Sequence, residues 1–96
     1  MGNKPLEEIR FGHLYRILLS LLDYEKQGYQ PSLAELIEKA GISESAFYTR
    51  VNDRLIRAGL VKEEILTFRI KTLKLTDKGR KLAECLLPCR DLILDG

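Results

Sequence analysis

Between Leu14 and Tyr24 the chain reads L-Y-R-I-L-L-S-L-L-D-Y, and eight of these eleven residues are Leu, Ile or Tyr. A helix on the surface of a domain carries one apolar stripe, whereas a helix apolar nearly all round is buried on more than one side. This stretch has too many large apolar residues for a single stripe. The segment 8–27 is therefore expected to be a helix, closed by Gly28, with one side on its own core. At 96 residues the chain is one domain by length. In so small a domain the other side of the helix, through Leu14 and Leu18, is expected to meet a second subunit.

After the connector Gly28-Tyr29-Gln30-Pro31, Ser32 and Glu35 form a capping box, S-L-A-E. A second helix over 32–40 follows, with Leu33, Leu36 and Ile37 on its apolar face. Gly41 breaks it, and Ser43 opens a third helix over 44–58, since its hydroxyl can accept from the free N–H groups of a first turn. Phe47, Val51 and Leu55 recur at spacings of four and form the buried side. Ser45, Tyr48, Thr49, Asn52 and Arg57 supply hydrogen-bonding groups on the other, with Arg50 and Arg54 at the edges. Gly59 can take the left-handed conformation that ends a helix. Two helices joined by a short turn containing Gly make a helix-turn-helix.

Residues 60–75 then read as a hairpin. Leu60 to Ile65 and Arg69 to Leu75 read as its strands, favoured by their β-branched residues and Thr-containing ends, with the turn expected near Leu66-Thr67-Phe68. Thr76 can cap a last helix over 77–94, although Gly79 in its first turn costs about 1 kcal/mol against Ala. Leu82, Cys85, Leu86, Cys89 and Ile93 form a seam at spacings of three and four, like that of paired helices. Pro88 is expected to kink or break this helix, because it removes the bond to the Glu84 carbonyl.

The net charge of +2 is small, but it is unevenly spread. Residues 59–81 carry seven Lys or Arg and three Asp or Glu, so the positive excess lies just beyond the third helix. No apolar run reaches the roughly 18 residues of a membrane span, and the first residues lack a signal peptide's apolar core; a cytoplasmic protein is expected. With one histidine, His13, and no nucleophile elbow, phosphate-binding Gly loop or paired-carboxylate motif, no enzyme is expected, and no cofactor or metal. Cys85 and Cys89 share a helix face. Three readings of them compete: small apolar residues of core or interface, an intersubunit disulfide, or a metal or redox sensor.

The stretches S-E-S-A-F-Y-T-R-V at 43–51, R-L-I-R-A-G-L-V at 54–61 and L-T-D-K-G-R-K-L at 75–82 resemble the winged helix-turn-helix family, within it the small MarR/PadR-like regulators. The resemblance covers roughly residues 10–87. It implies a mainly α fold with a small β-hairpin (α+β), and a homodimeric, sequence-specific regulator of transcription bound to double-stranded DNA. The recognition helix would enter the major groove with Ser45, Tyr48, Thr49, Arg50 and Asn52. The wing would lie on the phosphate backbone with Lys62, Arg69 and Lys71, and Leu14, Leu18, Leu86, Cys89 and Ile93 would form the dimer interface. The wing departs from the family's often Gly- and Arg-rich tip: E-E-I-L-T-F-R is short and partly acidic. The chain is also shorter than ligand-sensing relatives, so no small-molecule effector is implied. A second reading is a winged-helix protein–protein interaction module, with an exposed apolar patch at Tyr48 or Phe68. A third is a sequence-independent chromosome-coating protein, for which +2 is a low charge.

Overall fold

The computed structural model describes residues 11–89. Helix α1 (Phe11–Lys26) is followed by α2 (Leu33–Ala40), by α3 (continuous through Glu44–Ala46, Phe47–Val51 and Asn52–Arg57), by strands β1 (Val61–Thr67) and β2 (Ile70–Leu75), and by α4 (Asp77–Leu86). A 3-10 turn, Leu87–Cys89, comes last. The fold is α+β: four helices and a two-stranded antiparallel hairpin among the described residues.

Helix α1 is the centre of the molecule. Its Ile17, Leu18, Leu21 and Leu22 share one cluster with Leu36 and Ile37 of α2, Phe47, Val51 and Leu55 of α3, Val61, Leu73 and Leu75 of the hairpin and Ala83 of α4. Helices α2 and α4 and strand β2 all pack on α1. This corrects the expectation of a subunit contact through Leu18, which is only 2% exposed in the single chain. The helix is apolar nearly all round because its own chain surrounds it, and burying each such side chain contributes about 1.5–3 kcal/mol.

Buried and half-buried polar contacts fix the elements around α1. The Tyr15 hydroxyl donates to the Leu86 carbonyl, tying α1 to the end of α4. The wholly buried Thr72 donates to the Pro31 carbonyl, tying β2 to the loop before α2. Arg80 of α4 grips Glu25 of α1 with Nε and Nη2, each at 2.7 Å, and reaches Asp77 with Nη1 at 2.9 Å. The Arg80 guanidinium holds the Glu25 carboxyl below its usual 4.5, against partial burial and with help from Lys74.

The junction of α3 and α4 is closely built. Helix α3 ends with Gly59 at φ +74°, a Schellman arrangement in which Leu60 N–H donates to Leu55 and Gly59 N–H to Ile56. The next three carbonyls are then received by the start of α4. The Ala58 carbonyl accepts from Lys78 Nζ at 2.8 Å, and that of Gly59 from the Thr76 hydroxyl at 2.5 Å. The Leu60 carbonyl accepts from Thr76 N–H at 3.1 Å. The same Thr76 oxygen accepts from Gly79 N–H at 3.0 Å and so caps α4. Gly79 lies directly on this junction: a Cβ there would stand 1.9 Å from the Leu60 carbonyl oxygen.

In the hairpin, Val61 pairs with Leu75 and Thr67 with Ile70, with a register shift between Ile65 and Thr67. The turn is therefore Phe68-Arg69, beyond the position expected from the sequence. Phe68 has φ +44°, a conformation that costs a non-glycine residue on the order of 1–3 kcal/mol. Helix α4 stops at Leu86, two residues before Pro88, and the chain tightens into the 3-10 turn. The rest of the expected helix, including Ile93, and the expected start of α1 before Phe11 lie outside the described residues.

Three outcomes follow for stability. Gly→Ala within a helix ordinarily stabilises by about 0.4–1 kcal/mol, but Gly79→Ala is expected to destabilise by about 1–3 kcal/mol, because the obstructing atom is backbone; the urea midpoint measures it. Thr76→Ala is expected to cost about 1–2 kcal/mol, as lost helix caps do, and to speed amide exchange at Gly79. Because Glu25 is depressed in the folded state, its contribution is fully present above the ordinary carboxylate pKa. It is lost as pH falls through the folded value. The stability gap between the wild type and Glu25→Gln, followed by urea melts from neutral pH downward, should hold steady and then close only in the acid range below 4.5.

Candidate nucleic-acid interface

Helix α3 starts where Ser43 accepts from Ala46 N–H at 3.0 Å. Its buried stripe is Phe47, Val51 and Leu55. In a regular α-helix a spacing of four advances the stripe by about 40° per step, so three residues at that spacing would drift off the core. The helix widens instead. Asn52 N–H donates to the Phe47 carbonyl five residues back, and Phe47–Val51 forms a π turn. The extra residue cancels the drift, and all three anchors stay inside.

The other side of α3 is uncovered by its own chain. Ser45, Tyr48, Thr49, Asp53, Arg54 and Arg57 are all exposed. Tyr48 is 53% exposed, and its ring stands edge-on to Phe47 at 5.0 Å between centroids and 84° between planes, which fixes its direction. Thr49 donates its hydroxyl proton to the Ser45 carbonyl at 2.6 Å. It therefore offers a methyl group and an acceptor oxygen outward, suited to a thymine methyl or a base amino group. The side chain of Arg50 lies outside those described.

Asn52 differs from its exposed neighbours on α3. It is half-buried, and its Oδ1 is closed off from solvent with no hydrogen-bond partner among the described residues. The widened turn sets Asn52 closer to the buried stripe than regular spacing would, so this acceptor does not reach the outer face. Arg54 and Arg57 are exposed beside it. With Thr49, Asp53 and Ala58 they line a shallow open depression. Arg57 is paired with Asp53 at 3.0 Å, an exposed contact of about 0–1 kcal/mol that a phosphate can replace. Arg54 makes no ion pair among the described residues. Its position three before Arg57, on one ridge, was the signal available in the sequence.

The hairpin sorts the wing charges. Glu63 and Glu64 stand opposite Leu73 and Thr72. Glu64 lies 3.8 Å from Lys62 and accepts from Gln30 at 3.5 Å. The acids thus lie mid-strand, short of the tip, and Glu64 is partly neutralised. Lys62 faces Lys74 across the strands, and Lys74 acts on Glu25. Arg69 and Lys71, near the tip, have no carboxylate partner among the described residues. Of the seven cations in 59–81, Lys78 and Arg80 are spent on internal contacts, which sequence counting could not reveal.

Toward the C-terminus, Leu82, Cys85 and Cys89 are exposed and Leu86 is half-buried, as is Leu14 of α1. The core reading of the two cysteines is corrected: both are free, exposed thiols. An open cleft of about 500 Å³ lies between α1, α2 and Leu87. His13 is half-buried. Among the described residues no group of three His, Cys, Asp or Glu could hold a metal ion, and no helix is long and apolar enough to cross a membrane.

Residues 4–93 match the family described as ArnR1-like, winged-helix domain. The crystal structure of AF1382 from Archaeoglobus fulgidus superposes with a TM-score of 0.72 at 24% identity, over 83% of this chain and 86% of that one, a likeness of fold. The MarR family transcriptional regulator SPO1453 from Silicibacter pomeroyi DSS-3 gives a TM-score of 0.65 at 27% identity, over 85% of this chain. The match spans 55% of that regulator, about half its length. No protein of curated function is similar in sequence. The helix-turn-helix made by α2 and α3, the hairpin behind it and the α4 junction are all within the matched residues, and the chain belongs to the ArnR1-like winged-helix family.

Proposed function

We propose that this protein is a sequence-specific regulator of transcription that binds double-stranded DNA as a homodimer. The observation that carries the reading is the free polar side of α3: Ser45, Tyr48, Thr49, Arg54 and Arg57 are exposed, while the opposite stripe is buried. An α-helix fits the major groove, and side chains toward its N-terminus reach base edges. Ser45, Tyr48, Thr49 and Arg50 are the base-reading set, and Arg54 and Arg57 reach phosphates. On the wing, Arg69 and Lys71 lead the backbone contacts, with Lys62 behind them. The likeness to a MarR family transcriptional regulator supports this reading. Leu82, Cys85, Leu86 and Cys89 of the C-terminal segment, with Leu14 and Ile93, form the two-fold contact. The operator is then pseudo-palindromic, with half-sites spaced about one helical turn.

One observation favours a second reading. Phe68 is 97% exposed, with Ile65 and Ile70 also open at the wing, as a protein–protein interaction module would require.

Fluorescence anisotropy on labelled duplex DNA, titrated at rising salt, separates the two. A regulator loses affinity linearly in log salt, with a slope of about −0.9 per neutralised phosphate. Arg69→Ala and Lys71→Ala should each reduce that slope by about 1 without changing sequence preference. Thr49→Ala and Arg50→Ala should cost about 1–3 kcal/mol and relax preference at one base position. No salt-dependent binding to duplex points to the protein-binding module, and salt-dependent binding that survives all four substitutions unchanged removes the assignment of α3 and the wing as the DNA surface.

A further inference from the structure

The tip of the wing is built at odds with the needs of the fold. Phe68 is 97% exposed, so it contributes nothing to the core. It also holds φ +44°, a backbone region that glycine or asparagine occupies more easily. An aromatic ring fully in water on a strained two-residue turn makes no contact that the isolated chain uses. Its surroundings say what the ring is suited to meet. Ile65 and Ile70 are also open to solvent near it, and Arg69 follows it directly. From Ile65 to Thr76 there is no Asp or Glu, whereas Arg69, Lys71 and Lys74 are present. An apolar point beside Arg69 and Lys71, neither of which has a carboxylate partner among the described residues, complements a polyanion with an apolar interior.

We propose that Phe68 is a wedge: with the wing on duplex DNA, its ring enters between two adjacent base pairs from the minor groove, unstacks them and bends the duplex. The inference rests on the DNA-binding reading above and goes beyond phosphate contact by the wing. The minor groove is only about 6 Å wide, and a two-residue turn presents a single ring rather than a broad loop. Apolar side chains inserted this way kink DNA by about 20–90° toward the major groove. Arg69 and Lys71 then lie over the phosphates that flank the opened step and hold the tip in register.

The test uses the full chain and a duplex of about 30 base pairs with dyes at both ends and 2-aminopurine in one central TA step, a step that kinks easily. A matched duplex lacks TA steps. Wild-type protein should raise energy transfer between the ends and raise 2-aminopurine fluorescence, more on the TA duplex. Phe68→Asn keeps the turn, because asparagine tolerates the left-handed backbone, and should melt at the same temperature as the wild type or higher. It should retain the salt slope yet lose both the bend and the unstacking signal. Phe68→Leu, which keeps an apolar point, should retain a large part of both. If the wild type binds duplex with neither signal, or if Phe68→Asn bends it as the wild type does, the wedge is overturned while the DNA reading stands. The apolar tip then belongs to a protein partner. Failure to bind either duplex at low salt overturns the DNA reading itself, and the wedge with it.

Discussion

Three consecutive carbonyls, of Ala58, Gly59 and Leu60, leave α3 without partners in their own helix, and α4 supplies a donor to each. The negative end of one helix dipole thereby meets the positive end of another, with the Lys78 ammonium between them. Because Val61 and Leu75 pair immediately beside this junction, it also sets the root of the hairpin. Helix α3, the hairpin and α4 are held to one another by a few residues. The short sequence L-T-D-K-G is thus explained residue by residue. Thr76 serves two helices at once, Lys78 reaches back to a carbonyl, and Gly79 lets two backbones touch.

Around that junction the chain wraps α1. An apolar surface on all sides of a helix is often a sign of a missing subunit, but here α2, α4 and the hairpin close over it. Leu18 is part of the fold rather than of an interface. What remains open for association is narrower: the row of side chains along α4 and the half-buried Leu14. Two solvent-facing thiols lie in that row, at Cys85 and Cys89.

The starts of α2, α3 and α4 and the end of α3 were legible because caps are local chemistry. Ser32 with Glu35, Ser43, Thr76 and Gly59 each act within a few residues of where they stand in the sequence. The helix-turn-helix and the core positions followed from periodicity. Features that depend on distant partners did not. A spacing of four looks the same in an α turn and in a π turn, so the inward setting of Asn52 was hidden. No Asn-Gly or Asp-Gly marked the hairpin turn, so its register came only from the structure, and with it the setting of the acids back from the tip. Lys78 and Arg80 counted toward a basic field in the sequence, yet both are committed to contacts inside the molecule. Gly79 looked like a defect in a helix until the Leu60 carbonyl beside it was seen.

The π turn has a further consequence, for how much a helix can display. Between Phe47 and Val51 stand three residues, Tyr48, Thr49 and Arg50. A stripe kept in line by regular turns alone would need one of its intervals shortened to three, leaving only two residues between those anchors. Deleting one of the three would give anchor intervals of three and four, a better match to standard helical pitch. The widened turn thus gives the loop of backbone between the first two anchors one more amino acid than a regular helix of the same footing, while both anchors stay buried.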